Sequence, residues 1–234
     1  MKQATFSLYF FSLGILFIIL EHLNNFLPAL IVKSLIIPAL MLYYHLNIRK
    51  SYTSFHRLMM IGLFFSWLGD VLLQFANDNV DLYFDSESYF LFGLAAFLGT
   101  QVFYFLAFIR PKGSNLIFSK RIYQLVMVLG YGFLLLWFLY NKIPVDMRLP
   151  VIVYAIVIHA MLAAALNRYG KVNGVSYMLI ALGALMFVLS DSMIAVTKFH
   201  QKIDFARIII MISYIVAQYL IIMGAIKQDS SQEK

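Results

Sequence analysis

Leu58-Met59-Met60-Ile61-Gly62-Leu63-Phe64-Phe65-Ser66-Trp67-Leu68-Gly69-Asp70-Val71-Leu72-Leu73-Gln74-Phe75-Ala76 is an apolar run long enough to cross a bilayer, and it carries a carboxylic acid inside it. An acid in hydrocarbon needs a partner, a water-filled cavity or a retained proton. The chain contains one other such acid, in Leu189-Ser190-Asp191-Ser192-Met193-Ile194. Asp70 and Asp191 are therefore the candidate catalytic pair, and the apolar runs around them decide the fold.

Of the 234 residues, 62% are hydrophobic and only 12% charged, against roughly half and a quarter in soluble domains. The composition predicts an integral membrane protein. Eight apolar segments can be drawn, at roughly 5–20, 28–46, 57–76, 88–109, 121–140, 149–166, 174–196 and 205–226. The expected fold is all-α, a polytopic bundle of eight transmembrane helices forming one domain over residues 1–234. The first segment follows Lys2 but has no small-residue cleavage site after it, so it reads as a retained helix.

The net charge of +7 does not point to nucleic acid, because the bases lie in short loops between apolar segments. They report orientation instead. Arg49, Lys50, Arg57, Arg110, Lys112, Lys120, Arg121, Arg168 and Lys171 fill the even loops, while the third loop holds Asp78, Asp81, Asp85 and Glu87. Lys142, Arg148, Lys198 and Lys202 in the fifth and seventh loops blur the bias. The balance puts both termini in the cytoplasm. Asp70, Asp191 and Lys33 then all fall in the outer half of the bilayer, which predicts one shared polar cavity.

An internal echo points to a four-plus-four parallel repeat. Segments three and seven carry Trp67-Leu68-Gly69-Asp70 and Val188-Leu189-Ser190-Asp191; segments four and eight carry Gly99-Thr100-Gln101-Val102 and Val216-Ala217-Gln218-Tyr219. Parallel repeats in membrane proteins place sites at their interface.

The other polar candidates within the spans are Gln101, Tyr104, Tyr154, His159, Ser190, Tyr214 and Gln218. Tyr214 and Gln218 are four apart, and Gln101 and Tyr104 three apart, so each pair shares a helix face. Each residue taken alone also fits an interhelical hydrogen bond. Lys33 has three readings: neutralising an Asp, snorkelling to the interface, or holding a lipid phosphate. No cysteine is present, and His22, His45, His56, His159 and His200 include no pair at the i, i+4 spacing of a zinc motif. No metal and no cofactor is expected. Metal-free acid–base chemistry is the better fit.

The blocks Ser66–Leu73, Phe92-Gly93-Leu94-Ala95-Ala96-Phe97 and Gly183–Ser192 resemble the signature blocks of the lysoplasmalogenase (YhhN-like) family, as do Lys33 with Pro38 and Tyr214 with Gln218. The resemblance runs in order from the second segment to the eighth. One departure stands out: Gln101 occupies a position where the family pattern leads one to expect His. The resemblance implies an eight-helix membrane hydrolase acting on a lysoplasmalogen, a lysophospholipid with a vinyl ether bond. It would release a fatty aldehyde and a glycerophospho-alcohol. Two carboxylates suit that chemistry, one protonating the vinyl carbon and the other activating water. A transporter of a small or lipidic solute and a non-catalytic lipid-binding protein are the competing classes. Compact loops and the lack of an Asn-x-Ser/Thr acceptor favour a bacterial cytoplasmic membrane over an endoplasmic reticulum.

Overall fold

The structure is a computed structural model that describes residues 3–48, 52–76, 84–110 and 122–230. Arg49, Lys50, Asp78, Asp81, Lys112, Lys120 and Arg121 of the loop-charge argument lie outside the described residues. Among the described residues eight α-helices follow one another: α1 (Gln3–His22), α2 (Phe26–Asn47), α3 (Ser54–Phe75), α4 (Ser86–Phe108), α5 (Ile122–Leu139), α6 (Val145–Leu166), α7 (Gly174–Phe199) and α8 (Ala206–Ser230). All eight are long and apolar enough to cross a membrane, and no strand occurs among the described residues. The chain is a multi-pass, all-helical membrane protein.

Helix ends fall where backbone groups find partners rather than where hydrophobicity stops. The α3 helix begins four residues before the apolar run, because Thr53 and His56 form a capping box and Thr53 Oγ1 lies 2.7 Å from His56 Nδ1. The α6 helix begins at Val145 rather than near 149. Its first turn absorbs Asp146, which favours the positive helix start, and Arg148 donates to the Ile143 carbonyl at 3.2 Å while lying over the Tyr140 ring. Asp85 Oδ1 accepts from the Ser88 N–H at 2.7 Å ahead of α4, and Ser88 holds the Asp85 carboxyl below the usual carboxylate range. The α7 helix is capped by Asn173, whose side chain accepts from Ser176 N.

The chain forms two compact units, Met1–Tyr104 and Phe105–Lys234. In the first, α1 packs on α2 and α2 on α3. The α3 and α4 helices meet through glycines: Gly62 and Gly69 receive the rings of Tyr104 and Phe97, while Gly93 and Gly99 receive Leu73 and Phe65. Small residues at such crossings let helices approach closely in a membrane.

Pro38 lies inside α2 and cannot donate to the carbonyl of Ser34, four residues back. Trp67 Nε1 on α3 fills that gap, donating to Ser34 O at 3.0 Å. The indole replaces the missing backbone donor and joins α2 to α3 three residues before Asp70. Trp67→Phe is expected to lower thermal stability in detergent by several degrees, since an orphaned buried acceptor costs about 1–3 kcal/mol. In a Pro38→Ala background residue 38 regains its N–H, so the same change should cost measurably less. Equal losses in both backgrounds would show that the indole contributes only volume.

In the second unit α5 packs on α6, α6 on α7 and, most extensively, α7 on α8. Gly183 and Gly224 bring the last two together. Ser176 Oγ donates to the Gly224 carbonyl at 2.8 Å, and Ser190 Oγ to the Ile210 carbonyl at 3.1 Å. At one end of this unit Arg168 is fully buried, lies 5.4 Å from the Phe108 ring centroid and donates to Gln228. At another end Lys142 donates to the His200 ring at 2.5 Å and sits over Phe138.

Candidate functional site

Polar side chains within the spans gather in each unit. In the first unit Asp70 lies on α3, only 3% exposed, with Ser66 one turn before it and Gln74 one turn after, both buried. Residues four apart share a helix face, so these three form a polar stripe. Lys33 Nζ on α2 donates to Gln74 Oε1 at 3.3 Å and lies 5.3 Å from the centroid of the Phe17 ring on α1. Its hydrogen bond goes to the amide next to Asp70 on the stripe. Gln101 and Tyr104 on α4 are both fully buried. Tyr104 packs its ring against Gly62. Among the described residues, Gln101 Nε2 and Oε1 and the neighbouring Thr100 hydroxyl find no hydrogen-bond partner.

In the second unit Asp191 on α7 is half-buried, and the Tyr154 hydroxyl on α6 donates to its Oδ2. A carboxylate with a phenol on one oxygen has its position fixed. Ser190 and Ser192, the neighbours of Asp191, bond to the backbone carbonyls of Ile210 and Val188. His159 Nδ1 lies 2.7 Å from the Ala155 carbonyl, one turn back on α6, and its ring packs against Gly132 of α5. Tyr214 stacks edge-on against Phe187, with centroids 5.7 Å apart, and Gln218 is fully buried one turn further along α8. Among the described residues no three His, Asp or Glu side chains gather as a metal-ligand set.

Residues 28–225 match the model of the YhhN family. The chain belongs to that family. This YhhN-family chain is also similar to curated mammalian proteins. Lysoplasmalogenase TMEM86B of Sus scrofa is 34% identical over 133 residues, covering 56% of the chain and 52% of that protein. Lysoplasmalogenase TMEM86A of Bos taurus is 30% identical over 177 residues, covering 74% and 67%. Lysoplasmalogenase TMEM86B of Homo sapiens is 33% identical over 139 residues, covering 59% and 54%. The YhhN-family chain thus spans about half the length of the TMEM86B relatives it matches. No solved structure matches it.

Among the residues singled out in the sequence, the structure joins Tyr154 to Asp191 and gives Lys33 an amide partner. Ser190 and His159 take backbone partners. Gln74 was missed. Its signal was the i, i+4 spacing from Asp70, hidden because Gln74 lies in the last turn of α3, where the apolar run gives way to the loop.

Proposed function

We propose that this protein is a membrane hydrolase that cleaves the vinyl ether bond of a lysoplasmalogen-like lysophospholipid. The observation that carries the reading is the Tyr154–Asp191 hydrogen bond inside a membrane span of a YhhN-family chain. An intramembrane carboxylate held ready by a phenol is costly without a task. The names of the mammalian relatives supply the substrate class.

A carboxylic acid delivers its proton to the distal vinyl carbon, leaving an oxocarbenium ion on the carbon bonded to the ether oxygen. A carboxylate removes a proton from water as the water oxygen bonds to that carbon. The resulting hemiacetal collapses: the C–O bond to glycerol breaks, the glycerol oxygen gains a proton and the hemiacetal hydroxyl loses one. The products are a fatty aldehyde and a glycerophospho-alcohol, with one water consumed. Asp191, already accepting from Tyr154, suits the base. The open amide of Gln101 suits a hydroxyl of the substrate glycerol. The loop charges support cytoplasmic termini, and the compact loops favour a bacterial cytoplasmic membrane over an endoplasmic reticulum.

The test is release of fatty aldehyde by purified, detergent-solubilised protein from a lysoplasmalogen, beside a lysolipid with a saturated ether. Aldehyde from the first alone is expected. No aldehyde, together with substrate-dependent flux in liposomes, would replace the hydrolase with a transporter.

A further inference from the structure

Lys33 is a cation within a membrane span whose bonds go to neutral groups. Gln74 accepts one of its protons, and the buried Phe17 ring lies beside it. Among the described residues no carboxylate pairs with Lys33 Nζ. A neutral acceptor fixes where the ammonium sits without cancelling its charge. An ammonium carries three donors, so two remain after Gln74. The side chain is half-buried within the apolar α2 span, where a charge is costly without an opposite charge.

Position narrows the choice of anion. Gln74 follows Asp70 by four residues on α3, a rise of about 6 Å. In a lysoplasmalogen the glycerol carbons and their ether and ester oxygens separate the phosphorus from the vinyl carbons by a similar span. A phosphate on Lys33 therefore leaves the vinyl ether able to reach one helical turn away, to the level of Asp70. A cation here also matches a phosphodiester, which bears one negative charge and offers two oxygens to the free donors.

We propose that Lys33, held in place by Gln74, is the phosphate subsite that selects lysophospholipids over phosphate-free ether lipids. Gln74 is a positioning residue, and its neutrality is what keeps the Lys33 charge available. The inference deepens the proposed function and rests on it for the substrate class.

The experiment measures equilibrium binding of two non-cleavable probes to purified protein in neutral, phosphate-free detergent. One is a saturated 1-alkyl lysophosphatidylethanolamine and the other the matching 1-alkylglycerol. The wild type should bind the phosphate-bearing probe about tenfold to a hundredfold more tightly, the range of a charge-assisted contact. Lys33→Met should erase that preference and leave alkylglycerol binding unchanged, whereas Lys33→Arg should retain most of it. Gln74→Glu should also erase it, because a carboxylate facing Lys33 neutralises the charge with the lysine still present. The assignment is overturned if Lys33→Met keeps the preference, or if both probes weaken equally, which marks a structural role. It is also overturned if inorganic phosphate competes as strongly as the lipid, since the site then takes a free anion. Binding needs no turnover. A chain that shows the Lys33-dependent preference but releases no aldehyde from a lysoplasmalogen therefore loses the hydrolase reading and keeps the subsite.

Discussion

Asp191→Asn is expected to lower aldehyde release by about a hundredfold to ten-thousandfold, the range of a positioned general acid or base, while folded protein and thermal stability stay near wild type. The carboxamide has the shape of the carboxylate, and its oxygen still accepts from Tyr154, so the α6–α7 contact survives. Only the capacity to take up a proton is lost. Asp70→Asn should show a loss of the same order. Tyr154→Phe should lose less, since Asp191 stays but loses the phenol that positions it, and its pH–rate profile should move where that of Asp191→Asn has no limb left to move. The measurement is steady-state aldehyde production on protein matched by size-exclusion profile and melting temperature. Wild-type rates in Asp191→Asn would remove Asp191 from the chemistry.

The second large effect is structural. Gly183→Val should abolish or severely reduce recovery of folded protein. A Cβ at Gly183 would lie 2.7 Å from Ile221 Cγ1, 2.8 Å from the Ala217 carbonyl oxygen and 2.9 Å from Ile221 N. Two of those three atoms are backbone and cannot step aside as a side chain can. Overpacking a core costs about 1–3 kcal/mol even where side chains give, and a β-branched residue here forces α7 and α8 apart along their closest approach. Gly224 faces the same problem from α8, where a Cβ would meet Ile180 Cγ1 at 2.7 Å. Gly183→Ala should show an intermediate loss of melting temperature, and Gly130→Ala, where nothing lies within 4 Å, should show little. The readouts are the monodisperse fraction after extraction and the melting temperature. If Gly183→Val melts like the wild type, α7 and α8 do not cross there.

The eight helices were legible because each is an unbroken apolar run of spanning length, and nothing soluble could bury such runs. Their ends were less so. Arg148 read as a loop charge, yet the first turn of α6 accommodates it together with Asp146, because the N-terminal end of a helix accepts an acid and the Arg148 stem reaches back to Ile143. Asp70, Asp191 and Tyr154 could be singled out because polar groups in hydrocarbon are conspicuous. The contacts they make could not. That Tyr154 meets Asp191, or that Trp67 meets Ser34, depends on the relative rotation and register of two helices, and no spacing within one helix encodes that. Pro38 marked a broken backbone hydrogen bond in α2, but not the indole that mends it. Gln74 was overlooked for a local reason: it follows Asp70 by one turn, yet lies where the polar tail of the run reads as interface rather than site.

Trp67 has one more consequence, which concerns light rather than stability. The chain contains two tryptophans. Trp137 on α5 is 72% exposed on a helix whose outward residues are nearly all apolar, whereas Trp67 is half-buried with its indole N–H held by the Ser34 carbonyl, next to Lys33. In a bilayer of brominated lipids, collisional quenching falls mainly on Trp137. The residual emission then comes from an indole on the same helix as Asp70, bonded to the α2 residue that follows Lys33. The protein carries its own fluorophore at the α2–α3 contact that also carries Lys33 and Gln74, and changes there can be followed by wavelength and lifetime without attaching a dye.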